Sequence, residues 1–227
     1  ITGDTGFIGS HLVSSLLKKF DVIGLSRKHT NAGYKTIDFD ISSGVPDIPD
    51  IDAIIHMASD VTNSEKSWSI NIDGTKNILE LGKIAEIESF VYASTGGVYG
   101  FNDLPLLETS TPKPENEYAK TKYEAEMLCK KYAAFFNISV LRYFFPYGPA
   151  SSSERLIPRL IRKISEREQI ELNNNNRPII NPIFIDDVVE ATKSVINREE
   201  FDIFNIGGEE RVSILDIIRT IEKHTGK

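Results

Sequence analysis

A chain of 227 residues with 40% hydrophobic content is long enough for one large domain, or one domain with a small lobe, around a real core. Acidic residues outnumber basic ones 33 to 26, for a net charge of −7. No basic block is present to track a phosphate backbone, which argues against nucleic acid as a partner. No apolar run reaches membrane-spanning length, a single Cys129 excludes an internal disulfide, and four scattered histidines offer no metal-ligand cluster. A cytoplasmic location is the expectation from that cysteine usage. The chain opens without Met inside what reads as a strand, so further residues are expected at the N-terminus.

Ile1 to Gly9 reads Ile-Thr-Gly-Asp-Thr-Gly-Phe-Ile-Gly, at the point where a strand hands over to a helix with apolar spacing Ile8, Leu12, Leu16 within Phe7 to Phe20. Gly3 can take a backbone angle closed to other residues, Gly6 lets the main chain approach a pyrophosphate, and Gly9 lets helix and strand lie close. The freed amides and the positive end of the helix then face phosphates. An ordinary tight turn is the alternative.

Strands follow at Asp21 to Ser26, Ala53 to Met57, Phe90 to Ala93 and Ser139 to Arg142, with helices at Asn71 to Ile87 and Tyr118 to Phe135 between them. Strands separated by helices predict a parallel sheet covered on both faces, an α/β fold wound in two directions. Its ligands sit beyond the carboxyl ends of the strands, where Gly3, Ser26, Met57, Ser94 and Tyr143 fall on one rim. Asn173 to Asn176 reads as a polar turn, Asp187 with Glu190 as a helix-capping box, and Ser213 as the cap of a last helix running to Gly226.

At the end of the second strand, an acid would accept the 2′-hydroxyl of an adenosine ribose, but this chain has Ser26 and Arg27. That pair can satisfy a 2′-phosphate, so NADP is expected to bind at least as well as NAD; a solvated loop arginine is the alternative. Asp40 and Ile41 either hold the adenine or form a turn and a core residue. Tyr118 and Lys122 are four apart, so a helix presents both on one face. Ionising a phenol near pH 7 takes about 4 kcal/mol from its surroundings, part of which the Lys122 charge can provide. Thr95 offers a hydroxyl to orient a substrate oxygen. A plain surface pair is the alternative for Tyr118 and Lys122.

The residues Thr2 to Gly9, Ser94-Thr95-Gly96-Gly97-Val98-Tyr99-Gly100, Tyr118 with Lys122, and Leu141 to Pro149 resemble the extended short-chain dehydrogenase/reductase family. Within it they are similar to the NAD-dependent epimerase/dehydratase group, as are Asn71 to Thr75, Pro182 to Asp187 and Phe204 to Gly208. The resemblance implies a Rossmann-type fold with NAD or NADP as cofactor, a nucleotide-sugar substrate, and a homodimer paired through the helices at Asn71 to Ile87 and Tyr118 to Phe135. It implies that Tyr118 is the acid/base, that Lys122 binds the nicotinamide ribose, and that Thr95 polarises the reacting oxygen. The turn residues Gly3, Thr5, Gly6, Phe7, Ile8 and Gly9 would hold the pyrophosphate. Met57, Ala58, Ser59, Asn71, Ala93 and Ser94 would line the cofactor channel, with Tyr143 and Phe144 flanking the nicotinamide.

Three positions depart from the group's pattern. Dehydratases carry an Asp-Glu pair where this chain has Gly96 and Gly97, which sets dehydration aside, and many epimerases have Asn in place of Phe145 and Asp in place of Ser26. The expected division is a dinucleotide-binding domain at 1–147 and a substrate lobe at 148–227, with segments around 183–206 returning to the first and the chain short at both ends. Phe145, Arg155 and Arg177, with Arg159 beside them, are the substrate candidates, because guanidinium forks match phosphate oxygens. No metal site is expected, and no histidine is assigned to catalysis. The expected activity is epimerisation of a nucleotide sugar through a transient keto intermediate. An NADP-dependent keto-sugar reductase and a dinucleotide-sensing protein without turnover are the alternatives.

Overall fold

The computed structural model describes residues 1–27, 33–62, 65–100, 105–172 and 179–226. Helix α1 spans Phe7–Leu16, followed by strands β1 (Ile23–Ser26), β2 (Lys35–Asp38) and β3 (Ala53–His56). A short α2 (Glu65–Trp68) leads to α3 (Thr75–Ile84), then β4 (Ser89–Thr95), α4 (Glu117–Tyr132) and β5 (Asn137–Tyr143). The remainder holds β6 (Pro146–Tyr147), α5 (Leu156–Ser165), β7 (Ile179–Ile180), β8 (Ile183–Phe184), α6 (Ile185–Ser194), β9 (Phe201–Ile206), β10 (Val212–Ser213) and α7 (Ile214–Thr225). Among the described residues no helix is long and apolar enough to cross a membrane.

Strands β3, β4, β5 and β9 pair in parallel, as do β1 and β2. Thr2 joins the two groups by parallel bridges to Leu25 and His56, so the order across the sheet is β2-β1-Thr2-β3-β4-β5-β9. The strand order reverses at Thr2, and a crevice opens at such a point. Successive residues of a strand face opposite ways, and both faces here are apolar. Phe90, Tyr92, Ile138 and Val140 face Ile78 and Leu79 of α3 and Ala125 and Cys129 of α4. Val91, Ala93, Leu141 and Tyr143 face Leu12, Val13 and Leu16 of α1 and Val188 and Val189 of α6. The fold is the α/β, Rossmann-type, doubly wound parallel sheet that the sequence implies. A separate small cluster, Leu160, Ile164, Ile180, Ile214 and Ile218, ties α5, β7 and α7 together.

Several elements differ from the pattern in the sequence. The helix expected over Asn71 to Ile87 is broken into α2, a six-residue π-turn at Ser69–Gly74, and α3. Asn71 accounts for the wide turn, because its side chain bonds both Asp60 backbone groups and Thr121. Gly74 leaves room for Ile41, which would lie 2.7 Å from a Cβ there. The capping box at Asp187 does not form: the N-cap of α6 falls three residues earlier, at Phe184, with no side-chain cap bond. Pairing of β8 with β6 carries the chain directly into Ile185, so Asp186 and Asp187 fall inside the first turn and stabilise the helix only through its dipole. Ser213 does cap α7, in a reciprocal box with Asp216, and Gly226 closes it in the left-handed conformation. The turn expected at Asn173 to Asn176 lies outside the described residues.

Candidate active site

The glycine turn is bare main chain packed against the sheet. Gly3 has φ +66°, and a Cβ there would lie 2.7 Å from the Ala58 nitrogen; a Cβ on Gly9 would lie 2.2 Å from the Gly3 oxygen. The Gly3 amide donates to the Leu25 carbonyl at 3.0 Å and the Gly6 amide to Gly3 at 2.9 Å. Helix α1 begins just beyond, with Gly6 as N-cap, no side-chain cap and no acid in its first turn. The amides of its first residues therefore lack an internal acceptor and can receive phosphate oxygens. A dinucleotide pyrophosphate fits this cradle, with Gly3, Gly6, Phe7, Ile8 and Gly9 around it and Thr5 exposed at its edge.

Thr2 anchors the turn from below. Its hydroxyl pairs with His56 Nδ1 at 2.6 Å and accepts from the Ala58 amide at 3.1 Å, while His56 Nε2 meets the Thr75 hydroxyl at 3.0 Å. Burial and the nearby Lys122 charge push the His56 pKa down to about 3, so this ring is a neutral structural bridge.

At the ribose end, Ser26 terminates β1 and Arg27 is exposed beside it. Asp40 caps a tight turn at Ile41–Ser43, accepting from the Ser42 amide at 2.9 Å and its hydroxyl at 2.7 Å. Those bonds hold its carboxyl below the usual range, and Arg27 adds to the effect. Ile41 is buried among α3 residues. A turn residue beside a core residue is the arrangement seen at Asp40 and Ile41.

Tyr118 and Lys122 stand one turn apart at the start of α4, which Asn116 caps by accepting from the Ala119 amide at 2.8 Å. Tyr118 is half-buried and bonds the Ser59 hydroxyl. Burial raises its pKa, while the Ser59 bond and the Arg155 charge pull the other way. Lys122 is only 2% exposed, its Nζ 4.2 Å from the centre of the Tyr92 ring. Burial brings the Lys122 pKa down to about 7, with Cys129 and Glu126 opposing the shift. Thr95 ends β4 and accepts from the Gly97 amide at 3.2 Å. A Cβ at Gly97 would lie 3.7 Å from the Ala119 Cβ, so the turn after Thr95 runs beside the start of the helix that carries Tyr118.

Phe144 packs where Gly96 has no side chain, since a Cβ there would lie 2.4 Å from the ring. Tyr143 does not face the rim: its side chain is buried in the core and its hydroxyl pairs with Thr192 at 2.7 Å. Ala93 of β4 is likewise buried in the core that β4 shares with α1 and α6, and Ser94 donates to Glu126. Met57, Ala58 and Ser59 follow β3 at the crevice. Phe145, at a left-handed φ of +48°, and Arg155 line one cleft of about 220 Å³ with Tyr147 and Pro158. The Arg155 guanidinium also lies 5.3 Å from the Phe7 ring, which draws it to the mouth of the glycine turn. Arg159 is exposed on α5, and Arg177 lies outside the described residues.

A buried pair beneath these groups was not visible in the sequence. Arg142 of β5 donates to both Glu126 oxygens, at 3.0 and 2.6 Å, and to the Tyr99 hydroxyl at 2.6 Å. The two charged side chains are 2% and 0% exposed. Glu126 is one turn beyond Lys122 on α4 and ties Ser94 to the same cluster.

The model of the NAD dependent epimerase/dehydratase family matches residues 1–207. A protein of Bacillus subtilis described as an uncharacterised UDP-glucose epimerase is 28% identical over 100% of this chain and 82% of its own length. The UDP-glucuronate 4-epimerase of Thermodesulfobacterium geofontis is 30% identical over 100% of the chain and 80% of its own. The structure of the Bacillus cereus UDP-glucuronic acid 4-epimerase, in complex with UDP-glucuronic acid and NAD, superposes with TM-score 0.89 at 30% identity, covering 100% of this chain and 82% of that one. This chain belongs to the NAD dependent epimerase/dehydratase family.

Proposed function

We propose that this protein is a nucleotide-sugar epimerase that oxidises and re-reduces one hydroxyl-bearing sugar carbon, with Tyr118, Lys122 and Thr95 as its catalytic residues. The observation that carries the reading is that Tyr118 and Lys122 share the start of α4, with the turn after Thr95 beside it and the uncapped N-terminus of α1 at the crevice. The relatives' names, of a UDP-glucose epimerase and a UDP-glucuronate 4-epimerase, support a UDP-sugar as substrate. NAD or NADP, held by Gly3 to Gly9 and the residues after β3, supplies a reversible hydride acceptor when bound. Tyr118 takes the hydroxyl proton as the carbon loses hydride, and returns it once the keto sugar has turned over in the pocket. Thr95 orients the reacting oxygen. Lys122 lends positive charge to favour the Tyr118 phenolate. Arg155 and Phe145 bound the side from which a sugar diphosphate enters.

Gly96 and Gly97 leave no acid and base for elimination of water, so dehydration is not proposed. The rival reading, an NADP-dependent keto-sugar reductase, draws on Arg27 at the ribose end. A cytoplasmic homodimer with a dinucleotide-binding domain at 1–147 and a substrate lobe at 148–227 completes the proposal. Mass spectrometry of the small molecules released by denaturing the purified protein separates the two readings. Retained NAD at near one equivalent is expected for an epimerase that keeps its cofactor through the cycle; freely exchanging NADP overturns it in favour of the reductase.

A further inference from the structure

Asp4, the second residue of the glycine turn, is 1% exposed. Its Oδ2 accepts from the Tyr34 hydroxyl at 2.7 Å, and its Oδ1 has no hydrogen-bond partner among the described residues. A carboxylate taken out of water with one oxygen unsatisfied is costly, so its presence beside a ligand site calls for a reason. Its space is provided by Gly24, where a Cβ would lie 2.2 Å from Asp4 Oδ2 and 2.7 Å from the Tyr34 ring. Gly24 and Ser26 are alternate residues of β1, on one face and about 7 Å apart. Ser26 ends the strand where this fold meets the adenosine ribose.

We propose that Asp4 is a specificity-determining residue at the adenosine end: its carboxylate, delivered from the glycine turn instead of the strand end, places negative charge beneath the ribose, so the site takes NAD and rejects the 2′-phosphate of NADP. The proposal rests on the glycine turn being the dinucleotide site. It opposes the expectation drawn from Ser26 and Arg27. Arg27 is exposed and already acts on Asp40, whereas Asp4 is fixed by Tyr34 and shielded from solvent, and buried charges are screened far less than exposed ones.

Calorimetric titration of NAD and NADP against cofactor-free wild type, Asp4→Asn, Tyr34→Phe and Arg27→Ala tests it. The wild type is expected to favour NAD by ~10-fold or more. Asp4→Asn keeps the shape and an acceptor for Tyr34, and should tighten NADP by ~10-fold or more while moving NAD by less than ~3-fold. Tyr34→Phe, which retains the charge, should keep the NAD preference, and Arg27→Ala should leave the ratio of the two affinities nearly unchanged. A wild type that prefers NADP, or an unaltered ratio in Asp4→Asn, overturns the proposal. If Asp4→Asn melts before it can be titrated, Asp4→Ala is read by the same ratio. Failure of the folded wild type to bind either dinucleotide overturns the parent reading instead, so the two failures are distinct.

Discussion

Tyr118 is the residue on which the proposed chemistry turns. Its pKa is raised by burial, so the phenolate must be drawn out by surrounding positive charge. Replacing it by Phe is expected to lower turnover by at least ~100-fold while cofactor affinity stays nearly constant, as loss of an acid/base group does. Steady-state rates beside a dinucleotide titration check this, and wild-type turnover in the variant would contradict it. Lys122 carries the complementary cost. Its pKa falls from 10.5 in the unfolded chain to about 7 in the folded one, so below pH 7 folding must bury a charged ammonium. The unfolded state binds the extra proton between those values, so this penalty, on the order of 5 kcal/mol, is full below pH 7 and is relieved as pH rises from 7 to 10.5. Lys122→Met should therefore melt higher than cofactor-free wild type at pH 6, with the difference shrinking toward pH 10, even as activity is lost. A constant difference across that range in thermal melts would be the contrary result.

Among the elements, β5 and α4 are locked by the Arg142–Glu126 pair, which also reaches Ser94 at the end of β4. Removing one partner of a buried pair leaves an uncompensated charge and costs about 3 to 5 kcal/mol. Arg142→Met is thus expected to lower the melting temperature by roughly 10 °C, and Arg142→Met with Glu126→Leu to recover much of the loss. Calorimetry of both variants is the check, and an unaltered melt in Arg142→Met would refute the role. The pair escaped sequence reading because a charged residue in a strand or a helix reads as solvent-facing until its partner, 16 residues away, is brought opposite. Tyr118 with Lys122 was legible for the opposite reason, since helical periodicity alone puts them on one face. Tyr143 was placed at the right strand end, but β alternation turns its ring to the core. The π-turn was hidden because it depends on what Asn71 meets across the crevice, at Asp60 and Thr121. On the outer surface, Ile84 is 70% and Phe135 54% exposed on or just beyond α3 and α4, the helices through which we propose that two copies pair. Sedimentation at micromolar concentration should give a dimer, which Ile84→Glu weakens ~10-fold or more; a monomeric wild type would remove the proposal.

Across the whole molecule, the parallel sheet and its crevice were readable because each strand end carries its own local signal: Gly3, Ser26, Met57 and Thr95. The C-terminal part was less so. Its small core of Leu160, Ile164, Ile180, Ile214 and Ile218 is assembled from α5, β7 and α7, segments more than 50 residues apart at their extremes, and short two-residue strands leave no period to detect. That part bears Arg155, which meets the glycine turn at Phe7 and so spans both sides of the crevice. Inversion of a hydroxyl-bearing carbon of a nucleotide sugar in this crevice, without net redox change, is checked by proton NMR of UDP-glucose and UDP-glucuronate incubated with the purified protein and no added reductant. One of them should convert to its 4-epimer until both forms coexist, with no accumulation of reduced cofactor. Absence of any new anomeric signal from either sugar, or turnover of a keto sugar only with stoichiometric consumption of NADPH, would contradict it.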